Sequence, residues 1–98
     1  MEQLNSKELK QLRALAHNSK PIVIIGKAGL TPEVAKQVSD SFSHHELIKV
    51  KFVSHKEERK ELSEKLASDC SAHLGGVIGN ICILYRPFQN PEDRKISL

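Results

Sequence analysis

Pro21-Ile22-Val23-Ile24-Ile25, followed by Gly26-Lys27-Ala28-Gly29-Leu30-Thr31-Pro32-Glu33, is the stretch whose reading decides the fold. Ile22 to Ile25 is short, β-branched and apolar throughout, which predicts an inner strand buried on both faces. The Gly26-Lys-Ala-Gly29 segment breaks that strand. A helix then restarts, with Thr31 as its cap, Pro32 at the first helical position and Glu33 in the first turn. Val34, Ala35, Val38 and Phe42 supply the apolar face of that helix. Strand, short loop and helix in this order predict a βαβ unit.

Working outward, Asn5 to Glu8 has capping-box spacing and opens a first helix on Leu9, Leu12, Leu15 and Ala16. That helix stops before Asn18-Ser-Lys-Pro21, because the residue before proline disfavours the α region. On the other side, Leu47 to Val53 forms the second strand. Ile48, Val50 and Phe52 point one way, and Lys49 and Lys51 the other. Ser54 to Glu57 repeats the capping-box spacing and predicts a third helix to about Cys70, with Leu62, Leu66 and Cys70 as a narrow stripe and Glu61–Lys65 as an i, i+4 pair. Residues 72–78 and 81–86 form a hairpin about Gly79-Asn80, a dipeptide suited to a type II′ turn. Gly75-Gly76 marks a bulge or a close approach. Pro87 to Leu98 is expected to be an irregular tail. The order α-β-α-β-α-β-β predicts an α/β fold. Its helical crossover makes the first two strands parallel and its hairpin makes the last two antiparallel, giving one mixed four-stranded sheet with packed helices.

The chain of 98 residues and 11.0 kDa has room for one domain. A domain of that size buries roughly 60–70% of its unfolded surface and needs neither disulfides nor a metal to fold. The longest apolar run is too short to span a bilayer, and Met1 to Asn5 lacks the pattern of a signal peptide. Cys70 and Cys82 read as buried free thiols of a reducing compartment, so a cytoplasmic protein with no membrane association is expected. The formal net charge of +3 is unevenly spread: residues 1–56 carry +4 and residues 57–98 carry −1. The excess surrounds the first helix, the glycine loop and the second strand, where it could form a surface for phosphates.

Two glycines with Lys27 between them let a backbone approach a ligand closely, just ahead of a helix N-terminus. Such a loop suits a sugar–phosphate backbone, as the GXXG loop of KH domains does, although a plain strand-to-helix turn needs the same residues. Pro32 and the Thr31 cap remove amides from the helix end, leaving the loop amides and Lys27 to bind phosphate. The spacing is not that of a nucleotide-binding P-loop. Lys49 and Lys51 place two charges on one strand face, so that face must meet solvent or a partner. Lys7, Lys10 and Arg13 extend the basic surface along the first helix. Cys70-x-x-His73 has ligand-like spacing but no matching second pair, so no metal or other cofactor is expected. His17, His44, His45 and His55 join no recognisable catalytic grouping. With few aromatics, and Phe42 and Phe52 reading as core, recognition is expected to rely on phosphates and shape.

Taken together, Leu15-Ala-His17, Lys20-Pro21, Gly26-Lys-Ala-Gly29-Leu30-Thr31 and His44-His-Glu-Leu-Ile-Lys-Val-Lys51 resemble the CRM domain (chloroplast RNA splicing and ribosome maturation), most closely its bacterial single-domain YhbY-like form. Ile78-Gly79, Leu84-Tyr-Arg-Pro87 and Arg94-Lys-Ile-Ser-Leu98 continue the likeness, which covers nearly the whole chain. The resemblance implies a fold similar to the C-terminal domain of bacterial initiation factor three. It also implies RNA binding through Gly26, Lys27, Ala28 and Gly29 with Lys49 and Lys51 adjoining, association with precursors of the large ribosomal subunit, and no catalytic residue. The expectation is a non-catalytic RNA-binding protein acting on ribosomal RNA; the sequence does not fix the oligomeric state, with a monomer favoured. The alternatives are a protein–protein module of ribosome assembly with an acidic partner and, less supported, a small phosphate-handling enzyme.

Overall fold

The computed structural model describes residues 3–98. Helix α1 (Ser6–Ala16) begins at the expected capping box: the Asn5 side chain accepts from the Glu8 amide at 2.8 Å, and Glu8 accepts from the Asn5 amide at 3.0 Å. Strand β1 (Val23–Ile25) leads through the glycine loop into α2 (Pro32–Ser41), where Thr31 Oγ1 caps the Val34 amide at 3.2 Å. Strand β2 (Leu47–Phe52), α3 (Arg59–Asp69), β3 (His73–Ile78) and β4 (Ile81–Tyr85) complete the expected order.

The sheet runs β1-β2-β4-β3, with β1 parallel to β2 and both other pairings antiparallel. One face carries Val23, Ile25, Ile48, Val50, Phe52, Cys82 and Leu84 against Val38 of α2, its C-cap residue Phe42, and Leu66 and Ala67 of α3. The opposite face carries α1, which packs across β2, β4 and β3 and buries Leu12 and Ala16 completely. Three layers result, with the sheet in the middle. Leu12 alone, at the hydrophobic value for a fully buried leucine, stabilises this second interface by about 1.5–3 kcal/mol.

Four expectations need correction. β1 is an edge strand, not an inner one. Ile24 remains 59% exposed and Ile22 42%, because α1 packs on the other three strands of that face. The Ser54–Glu57 box does not form. His55 takes a left-handed φ of +59°, the chain turns through 56–58, and α3 starts at Arg59 with no side-chain cap. Lys65 pairs with Asp69 at 3.0 Å instead of with Glu61; both are i, i+4 choices on an exposed face. The tail is not wholly irregular. A 3₁₀ turn forms at Pro91–Asp93, capped by Asn90, and the buried Glu46 carboxylate fastens the tail by accepting from the amides of Phe88, Lys95 and Ile96.

Gly75 is the extra residue of a bulge, since Leu74 faces Leu84 and Gly76 faces Ile83. A β-carbon on Gly75 would lie 2.9 Å from Ile83 Cγ2, so the glycine is required by close approach. Gly79, at φ +59°, occupies the first central position of the hairpin turn, as a II′ turn demands. Both cysteines are buried and free. Burial pushes the Cys82 thiol up to about 11, which makes it inert at neutral pH.

Candidate functional site

The glycine loop leaves the sheet at the C-terminal end of β1. The Gly29 amide closes a tight turn on the Gly26 carbonyl at 3.0 Å, and Gly29 follows at φ +77°. Space around Gly26 is open: a β-carbon there would meet nothing within 4 Å. Lys27 and Ala28 stand exposed at the tip, and among the described residues their amides donate to no other group. Two unpaired amides beside a lysine are groups that can receive an anion. The α2 terminus adds little, because Thr31 serves the Val34 amide and Pro32 has none to offer.

His55, which sequence reasoning did not place here, holds this loop. Its Nε2–H donates to the Lys27 carbonyl at 2.9 Å, and the same ring lies 3.4 Å from where a Gly29 β-carbon would be. Gly29 therefore serves twice: it accepts a left-handed φ, and it leaves room for the imidazole. The hairpin turn lies at the same end of the sheet, since the Phe52 amide donates to the Asn80 carbonyl at 2.8 Å.

The lysines expected around the loop fare differently. Lys51 is exposed beside Ile24, its partner in register on β1. Lys49 is committed within the protein, donating from Nζ to the carbonyls of Ser19 at 2.9 Å and His17 at 3.4 Å, so it caps the carbonyls at the end of α1. The idea of two equivalent open lysines is corrected accordingly. Lys7, Lys10 and Arg13 lie exposed on α1. Arg13, with Lys56, Arg59 and Lys60, lines a cleft of about 460 Å³ along Gly75–Val77 at the β3 edge. Arg59 and Lys60 were missed because they are interspersed with acids in the sequence, and Lys56 entered only through the overall basic excess of residues 1–56.

The arrangement is that of a small α/β module with an exposed glycine loop bearing free amides and a lysine, and with further cations near the same end of the sheet. The chain belongs to the CRS1/YhbY (CRM) domain family, whose model matches residues 4–86. It is 37% identical to a protein of Haemophilus influenzae named "RNA-binding protein", over 100% of this chain and 97% of that one. It is 33% identical to the Bacillus subtilis "Probable RNA-binding protein YqeI", over 97% of this chain and 98% of that one. The solution structure of the Staphylococcus aureus protein SAV1595 superposes with a TM-score of 0.81 at 35% identity, covering 96% of this chain and 99% of that one.

Proposed function

We propose that this chain is a non-catalytic RNA-binding protein that engages ribosomal RNA in precursors of the large ribosomal subunit, with the Gly26–Gly29 loop and the cations beside it as the contact. The observation that carries the proposal is the loop itself: free amides at Lys27 and Ala28, the Lys27 side chain beside them, and His55 holding the turn in shape. The names of the relatives support RNA as the partner. Lys51 supplies a free charge on the adjoining strand. Lys49 acts indirectly, by fixing the end of α1.

Lys27→Glu combined with Lys51→Glu tests this. Both side chains are exposed, so the unfolding midpoint should stay within about 0.5 kcal/mol of the parent. Affinity for a large-subunit ribosomal RNA transcript should fall by at least tenfold. The slope of log affinity against log salt should flatten by roughly 1.4–1.8, the value for two lost phosphate contacts. Affinity indifferent to both salt and charge reversal would refute the proposal. Co-sedimentation with ribosomal particles that survives nuclease digestion would point to the acidic protein partner instead.

A further inference from the structure

The sheet face that α1 leaves uncovered holds a row of side chains in strict cross-strand register. Ile24 on β1 faces Lys51 on β2, Lys51 faces Ile81 on β4, and Ile81 faces Ile78 on β3. Ile24 and Ile78, at the two ends, are 59% and 56% exposed. Three strand spacings separate those ends, about 14 Å. Exposed isoleucines scattered singly need no explanation, but an aligned apolar row on an open sheet does.

We propose that this row is a platform for unpaired nucleotides of the RNA, whose bases lie on the isoleucines while their phosphates reach the cations at its margins. The proposal rests on the RNA-binding reading and adds the kind of RNA that is bound. The occupant follows from charge. Lys51 sits inside the row, the glycine loop begins immediately after β1 at one end, and Arg13 lies against Gly76 on the same face near the other. A second copy of this chain related by a two-fold axis would press Lys51 towards its own equivalent, and the row offers no acid to relieve it. An apolar protein surface would bury Lys51 unpaired, which is costly. A single strand of RNA brings apolar base faces and one phosphate per nucleotide, so it satisfies the isoleucines and the lysine together. Duplex RNA cannot do so, because its bases are stacked inside and its accessible groups are sugars and phosphates.

The experiment measures affinity for a fluorescent single-stranded RNA and for the same sequence annealed into a blunt duplex, using the whole protein and the variant Ile24→Ser/Ile78→Ser. Both positions are exposed, and the far-ultraviolet spectrum and unfolding midpoint report that the variant is folded. The parent should prefer the single strand, and the variant should lose about tenfold or more of that affinity while its duplex affinity and salt slope stay unchanged, since about half of each isoleucine remains to be buried. Methyl resonances of Ile24 and Ile78 should shift with the single strand and not with the duplex. Salt-dependent binding of duplex at least as tight as single strand, or a variant with undiminished single-strand affinity, overturns the platform and leaves RNA binding standing. Failure of the parent to bind either RNA overturns both. A variant that keeps its RNA affinity but loses self-association, or a protein partner, also overturns the platform.

Discussion

Replacing Glu46 by alanine removes one carboxylate that holds the last eleven residues against the body of the protein. Glu46 is 4% exposed; Oε1 accepts from the Lys95 amide at 2.7 Å and from the Ile96 amide at 3.2 Å, and Oε2 accepts from the Phe88 amide at 3.2 Å. Hydrogen bonds to a charged group are each worth about 1.5–3 kcal/mol net. The sum is reduced because a released tail regains conformational freedom and its amides return to water. A loss of about 3–4 kcal/mol remains, a large part of the 5–15 kcal/mol typical of a folded domain, and about 12–30 °C in melting temperature for a chain of this size. Urea unfolding measures the stability, and amide hydrogen exchange reads the tail directly. In Glu46→Ala the amides of Lys95 and Ile96 should exchange at nearly unfolded rates while those of β2 and β4 stay protected. Glu46→Gln, which keeps one acceptor oxygen and loses the charge, should fall between. An alanine variant within about 0.5 kcal/mol of the parent, with Lys95 and Ile96 still protected, would refute this account of the tail.

His55→Ala should weaken RNA affinity about fivefold, the worth of one net hydrogen bond, with His55→Gln recovering most of it because its amide nitrogen can still reach the Lys27 carbonyl; equal losses in both variants, tracking stability, would show that the ring merely packs. Burial beside Tyr85 holds His73 below its usual range, so the folded state resists the protonation that the unfolded chain accepts near pH 6.5. That stability is therefore complete above about pH 6.5 and is lost as pH falls through the lower folded value, and urea midpoints from pH 8 to 5 should show a smaller decline in His73→Gln than in the parent.

Signals that act within one turn were legible in advance. The Asn5–Glu8 box, the Thr31-Pro32 start of α2 and the Gly79 turn all formed as read, because each depends on atoms within three or four residues. The same spacing at Ser54–Glu57 failed because a distant contact decides that segment: His55 reaches back 28 positions to the Lys27 carbonyl and takes a left-handed backbone to do so. Glu46 escaped notice for the same reason, since the amides it serves lie 42 to 50 positions away. The reading of β1 failed differently. A continuous apolar run is what a strand buried on both faces shows, yet an edge strand with one open face can carry the same residues if that face has another use.

Charge shows most plainly what a linear reading misses. Divided by position, the second part of the chain is net acidic, yet the fold lifts Arg59 and Lys60 out of it and sets them with Lys56 and Arg13 along one cleft. Their acidic neighbours Glu61 and Glu64 belong to the exposed side of α3 and do not line that cleft, although Glu57 does. Lys49 runs the other way: counted as part of the basic excess, it is tied to two carbonyls at the end of α1. A glycine loop identified from spacing alone therefore gains its meaning from three placements the spacing does not contain. These are the imidazole beneath it, the free lysine beside it, and the open row of isoleucines that runs from it towards Arg13.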